Sequence, residues 1–391
     1  MLIQSPHDPA FVQDPYPVYD RVRSGGPVLF WQDYGMMAAF DHATVHALLR
    51  DRRLGRAVPA SKKRPVPDHL TAFNAVERHS LLELEAPEHT RLRRLVLHAF
   101  TSRRIAGLAG DIRDICADLL STLPKGDFDL IPAYCQHVPV RVIARLLGVP
   151  EEMGPNLLRW SSAMVAMYQA GRTRQIEDAA NSAAAEFTSF LTAYIEERRN
   201  DPRDDLITEL IAAKEDGARL TRDEMIGTCI LLLNAGHEAT VHSLGNAVKC
   251  LIETGTTSAL APGHIANTVE ELLRFDPPLH MFTRYAYEAV EVGGHTLNPG
   301  DEIALMLGAT GRDPDVFNDP HRFDPTRPKP NHVAFGGGLH FCVGAPLARL
   351  EMEIALPALF QHAPNLRIVE TPYYADSYHF HKLDRLMVNR P

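Results

Sequence analysis

A glycine-rich loop that ends in one cysteine and opens at once into an apolar helix constrains this chain more than any other feature. It reads Phe335-Gly336-Gly337-Gly338-Leu339-His340-Phe341-Cys342-Val343-Gly344, followed by Ala345, Leu347, Ala348, Leu350, Met352 and Ile354 at helical spacing. Adjacent glycines allow backbone conformations that side chains forbid, and they let a large flat group approach the main chain. A cysteine just before a helix start lies among unpaired N–H groups at the positive end of the helix dipole, which favours its thiolate. Phe335, Leu339 and Phe341 supply a dry shell of the kind that tunes a bound metal. No second cysteine stands nearby. The pattern therefore points to one axial bond to a metal that another group already holds, and haem is the leading candidate.

The rest of the chain must enclose such a group. Its 391 residues are 45% hydrophobic and 23% charged, so a large buried core is feasible. Length by itself suggests two or three domains. A net charge of -9 argues against nucleic acid as a partner. Five scattered cysteines, Cys116, Cys135, Cys229, Cys250 and Cys342, fit a reducing compartment. Residues 1–17 show neither a basic start followed by an apolar run nor a spanning segment, so a soluble cytoplasmic protein without a membrane partner is expected.

In chain order, Asp14-Pro15-Tyr16-Pro17 predicts a short helix capped by Asp14. Residues 27–40 predict a hairpin turning at Asp33-Tyr34-Gly35, and Asp41 caps the helix after it. A basic loop over 50–68 leads to a mobile segment around 70–79. From Ser102 to Asn200 the pattern is almost wholly helical. Thr221 caps a long helix running to about Thr254, and its front half, 225–233, is apolar nearly all round, so it crosses the interior. Into this run falls Asn234-Ala235-Gly236-His237-Glu238-Ala239-Thr240. Gly236 costs about 1 kcal/mol relative to alanine, which suggests a close approach or local opening of the backbone ladder. Glu238 is a carboxylate in apolar surroundings, costly unless paired or used for protons. His237 and His242 lie five apart and do not share a face as zinc ligands would. His89 and Arg93 do share one face, which suits either an anion or plain solvent. Glu271 and Arg274 are i,i+3 partners, worth under about 1 kcal/mol if exposed.

The pattern Phe-x-x-Gly-x-His-x-Cys-x-Gly at Phe335, Gly338, His340, Cys342 and Gly344 resembles the haem-thiolate signature of the cytochrome P450 monooxygenases. The resemblance extends over essentially the whole chain. It implies a mainly α fold with a small β region, the cytochrome P450 fold, as one large domain over 1–391. In that reading the cofactor is haem b (iron protoporphyrin IX), and Cys342 ligates its iron as thiolate, whose electron donation helps O–O cleavage. The resemblance assigns His89, Arg93, Arg284 and His340 to the haem propionates. Phe335, Gly336, Gly344 and Ala235 also fall among its cofactor contacts. Glu271-x-x-Arg274 is a further family signature, with Arg322 as the third member of a buried triad that fixes the cysteine loop.

The oxygen-activating segment of the family reads Ala-Gly-x-(Glu/Asp)-Thr, and this chain departs from it. Ala239 stands where the threonine belongs, while Thr240 is one place late and about 100° further round the helix. The expectation is that Glu238 stays in the proton route, with ordered water, a substrate hydroxyl or Asn234 replacing the missing group. Phe73, Leu231, Leu279, His280, Phe282 and Phe380 are the substrate-pocket candidates, with Val76 and Leu82 beside the mobile segment. The interval between Thr254 and Thr268 is short for the family and predicts a reduced helix. The implied reaction takes O2, a small, mostly apolar substrate, and electrons from a ferredoxin-type donor with an NAD(P)H-dependent reductase, the enzyme being a monomer. Arg94, Arg103 and Arg104 suggest a docking patch for that donor. Two alternatives are a peroxide-driven peroxygenase and a non-catalytic haem-binding sensor.

Overall fold

The computed structural model describes residues 1–168, 171–214, 217, 219–328 and 330–391. One helix, Arg222–Thr254, runs through the interior. Thr221 and Glu224 form a reciprocal capping box at its start, and Gly255, at φ 64°, ends it in the left-handed conformation. Around it pack the helices His137–Leu147, Gly154–Val165, Arg174–Asn200 and Ala345–His362. The reason lies in the spacing of their apolar residues. Val138, Val142, Leu146 and Ile143 form the buried stripe of one helix, and Met352, Ala355, Leu356 and Leu359 that of another. Pro346 sits in the first turn of Ala345–His362, where its missing N–H costs nothing.

The small β region is a five-stranded sheet in the order Val28–Trp31, Met36–Ala39, Glu302–Leu305, Phe282–Ala286, Leu54–Gly55. Only Met36–Ala39 and Glu302–Leu305 pair parallel. Arg284 lies opposite Ile303, and the two-residue period turns Arg284 and Ala286 inward. The predicted hairpin forms, and Asp41 accepts the Thr44 N–H at 2.8 Å as its cap. Asp14 differs slightly from its expected place. Pro15 occupies the cap position, and the Asp14 carboxylate accepts the Tyr16 N–H at 3.3 Å from one residue further out. Between the central helix and Ile265–Phe275 only the 3-10 turn Thr257–Leu260 remains, as the short interval predicted. No described helix is long and apolar enough to cross a membrane.

Candidate functional site

The cysteine loop is held open by backbone geometry. Gly336 and Gly338 adopt φ of 70° and 65°, and a Cβ at Gly338 would run into the carbonyl oxygen of Leu49. Cys342 N–H donates to the Phe335 carbonyl at 3.0 Å, closing the loop on itself. Among the five free cysteines, Cys342 alone is exposed; the other four are buried. Protein packed around its sulfur pushes the thiol up, opposed by the Gly344 and Ala345 N–H groups and by Arg93 and Arg349. The helix start therefore does not make a thiolate by itself, against the expectation from dipole and N–H groups. A coordinated metal would supply the remaining preference, since ligation deprotonates a thiol outright. Phe335 is half-buried beneath the Arg349 guanidinium, 4.6 Å from its ring centre. Leu339 and Phe341 are exposed and leave the loop open on this side.

Beside the loop lies a cationic cradle. His89 is fully buried, yet neither ring nitrogen has a hydrogen-bond partner. Its ring centre is 4.5 Å from that of His340, and burial, then His340 and Arg93, push it down to about 4. Arg93 donates to the Phe341 carbonyl at 2.6 Å, so the helix Glu88–Ala99 reaches the cysteine loop. Arg284 is buried and donates only to its neighbour's carbonyl, Thr283, at 2.8 Å; among the described residues no carboxylate pairs with it. Sequence reasoning missed two members, Arg56 and Glu85. Glu85 accepts from His340 Nε2 at 2.9 Å and from the Arg56 N–H at 2.6 Å. Arg56 also pairs with Glu83 at 3.1 Å, so three guanidinium charges (Arg56, Arg93, Arg284) against two carboxylates (Glu83, Glu85) leave one positive charge, with a neutral orphan imidazole beside it. A flat group carrying two carboxylates and a metal fits that set of donors.

On the central helix, Leu231 and Ala239 are half-buried and Ala235 is exposed, although the helix is otherwise deeply enclosed. Their spacing of four places them on one face, which is left partly uncovered. Asn234 and Thr240 are turned off that stripe. Asn234 is buried against Met164, 3.8 Å from its sulfur, and Thr240 is buried too. Neither occupies the place of the absent threonine hydroxyl. Glu238 accepts from His242 Nε2 at 3.1 Å, with Lys382 Nζ at 3.5 Å. Burial raises its pKa, but His242 and Lys382 outweigh this and hold it at about 2. It is thus an ionised acid in a network of proton-bearing groups.

Two ion networks tie together the segments that flank the loop. Arg274 donates from Nε and Nη2 to the two Glu271 oxygens at 2.7 Å each, both side chains fully buried. The third member is Arg327, whose Nε lies 3.2 Å from Glu271 Oε1. Arg322 was expected there; its side chain is exposed and only its carbonyl takes part, accepting from Arg274 at 3.1 Å. The chain reverses at Asp319, at φ 46°, and brings Arg327 back over Glu271 instead. A Cβ at Gly311 would collide with the Arg274 carbonyl, so this joint needs glycine. The second network was not foreseen. Glu270 pairs with Arg349 in the cysteine helix and with His332 at 3.4 Å.

The pocket candidates divide. Leu279, Phe282 and Phe380 are half-buried, with Phe380 6.1 Å edge-on from His242 and Phe282 against Gly336. Phe73 is buried in the main core, its N–H capped by Asn181 at 3.1 Å. His280 does not face this space. It is fully buried, takes a hydrogen bond at 2.9 Å with Tyr19, and belongs to a polar cluster on the opposite side of its strand. Arg104 likewise leaves the proposed docking patch, since Asp204 at 2.9 Å and Glu209 at 3.2 Å engage it.

Comparisons with known proteins agree with this geometry. The family model described as cytochrome P450 matches residues 265–363. Cytochrome P450 monooxygenase PikC of Streptomyces venezuelae is 35% identical over 375 residues, covering 93% of this chain and 87% of its own. The 6-deoxyerythronolide B hydroxylase of Saccharopolyspora erythraea is 36% identical over 92% of this chain and 91% of its own. The solved structure of P450BioI in complex with a hexadec-9Z-enoic acid ligated acyl carrier protein superposes at a TM-score of 0.92. It is 31% identical and covers 98% of this chain and 99% of that one.

Proposed function

The chain belongs to the cytochrome P450 family and is a monooxygenase of it, and from that premise we propose that it inserts one atom of O2 into a small, mostly apolar organic substrate using haem b. The observation that carries this reading is the exposed Cys342 beside a cradle with a surplus positive charge, a buried Arg284 and an orphaned, buried His89. Cys342 would ligate the iron; His89, Arg93, Arg284 and His340 would hold the propionates, with Phe335, Gly336, Gly344 and Ala235 against the flat faces. When bound, haem supplies O2 activation driven by two electrons.

The protein's own residues do the rest. Leu231, Ala235 and Ala239 keep one side of the cavity apolar and small. Leu279, Phe282 and Phe380 exclude water and orient an apolar substrate. Glu238, held ionised by His242 and Lys382, takes protons from that network and passes them toward the cavity through ordered water or a substrate hydroxyl, since Ala239 cannot. The electron donor is a ferredoxin-type protein with an NAD(P)H-dependent reductase, and the chain acts as a cytoplasmic monomer, one domain over residues 1–391.

The test is the spectrum of the reduced, carbon-monoxide-treated protein. A thiolate-type Soret band, lost in Cys342→Ser, is the expected result; a histidine-type band or an absence of porphyrin overturns the reading. Turnover with reduced ferredoxin, compared with hydrogen peroxide alone, then separates the monooxygenase from a peroxygenase, and absence of both marks a sensor. Haem spin-state shifts across a compound library identify the substrate class.

A further inference from the structure

Away from the cysteine loop, Asp276, His280 and His381 converge. Among the described residues they are the only three His, Cys, Asp or Glu side chains whose ligating atoms all lie within 4.8 Å of one another. The backbone explains the convergence. Leu279 and Phe380 form an isolated antiparallel bridge, flanked by hydrogen bonds from His280 N–H to the His379 carbonyl and from His381 N–H to the Pro278 carbonyl, both 2.9 Å. Side chains alternate along extended chain, so Leu279 and Phe380 share one face while His280 and His381 share the other. The two imidazole centres stand 4.5 Å apart.

Asp276 Oδ1 lies 2.7 Å from His381 Nδ1 and 4.0 Å from His280 Nε2. A tetrahedral ion about 2.1 Å from each ligand needs ligand atoms about 3.4 Å apart, and these two distances bracket that value. The outer contacts are those of a metal site. The Tyr19 hydroxyl hydrogen-bonds His280 Nδ1 at 2.9 Å, which fixes the ring and leaves Nε2 free. Hydroxyls of Tyr16 and Tyr374 donate to the two Asp276 oxygens at 2.8 and 2.7 Å. Independently of these, His280 Nε2, the atom turned toward Asp276, is buried with no partner, a cost that a ligated ion would remove. A cleft of about 470 Å³, walled by Tyr16, Asp276, Tyr374 and His381, connects the cluster to solvent. Arg312, whose guanidinium lies 4.1 Å over the Tyr16 ring, works against a cation and moderates the affinity.

We propose that Asp276, His280 and His381 bind one divalent transition-metal ion of the zinc class, with water from the cleft in the fourth position. Binding at His381 Nδ1 displaces the proton shared there with Asp276, and the neutral ring carries that proton on Nε2 instead. The ion would clamp the Leu279–Phe380 bridge from behind, joining the C-terminal segment to the end of the helix Ile265–Phe275.

The test uses untagged holoprotein, stripped with a chelator, equilibrated with Zn2+, gel-filtered and assayed for metal. The expected result is one zinc per chain beyond the haem iron, with zinc-edge X-ray absorption showing two imidazoles and oxygen donors. Asp276→Asn and His381→Gln should each lower retained zinc at least tenfold while the Soret band stays unchanged. Zinc retained equally by wild type and both variants, or no zinc retained above a magnesium control, overturns the proposal. Should the variants fail to fold, the wild-type absorption spectrum decides alone, and sulfur or fewer than two imidazole ligands would refute it.

Discussion

Glu271 and Glu238 are both carboxylates inside the protein, and their partners give them opposite behaviour. Glu271 is fully buried and accepts from Arg274 twice, from Arg327, and from the Asp324 N–H at 2.9 Å. Guanidinium groups keep their protons at any relevant pH, so this network can only hold. Glu238 is less enclosed and answers to an imidazole and an ammonium. Burial, opposed by Glu238, lowers the pKa of His242 and keeps that ring neutral near pH 7. A neutral imidazole beside an ionised acid is a pair that can accept and return a proton. One network holds the segment that leads into the cysteine loop; the other is placed to move charge beside the open face of the central helix.

That contrast can be broken by substitution. The largest effect is expected from Arg274→Ala, which strands a buried charge and should cost about 3–5 kcal/mol, read as a lower denaturation midpoint and loss of haem. Glu238→Gln should leave stability at neutral pH far less affected yet slow proton-dependent turnover by roughly tenfold to a hundredfold, equivalent to about 1.4–2.8 kcal/mol; an unchanged solvent isotope effect and rate would remove Glu238 from the proton route. The same carboxyl has a pH signature. Its folded pKa of about 2 lies below the unfolded value near ~4.3. Its stabilisation is therefore full above the unfolded value and disappears as pH falls through about 2. Thermal midpoints should drop between those limits in the native protein and less so in Glu238→Gln.

A smaller difference tests which arginine completes the fastener. Arg327→Ala should cost about 1–3 kcal/mol, whereas Arg322→Ala, at an exposed side chain, should stay within about 0.5 kcal/mol. The reverse order would restore Arg322. The smallest expected effect is Ala239→Thr, which adds a hydroxyl to the open stripe and should change the product-to-electron ratio roughly twofold, about 0.4 kcal/mol. An identical ratio would show that no proton-relay deficit exists here.

Much of the site was legible in the chain because the decisive pieces are local. The cysteine, the loop glycines, and the spacing of His89 with Arg93 and of Glu271 with Arg274 all depend on residues within one turn or one helix. What was misplaced depends on how distant segments meet. Arg327 replaces Arg322 because a loop reverses at Asp319, and nothing in a proline-rich stretch announces which arginine returns. Glu85 and Arg56 were missed because they enter the cradle from an irregular segment. The pairing of Glu270 with Arg349 joins two helices far apart in sequence. His280 was placed in the pocket, yet strand alternation sends it to the other face, where it meets His381 from the far end of the chain.

The sequence by itself determined the chemistry on offer: one loop cysteine with backbone freedom around it, a central helix with an acid and a missing hydroxyl, and capping signals that set where helices begin. These follow from short-range rules of propensity and spacing. Only the tertiary structure decided which charges are shared and which are stranded, because burial and pairing belong to the whole packed interior. That is why the helix start alone left the Cys342 thiol protonated, and why two buried imidazole nitrogens behind Asp276 stand without partners.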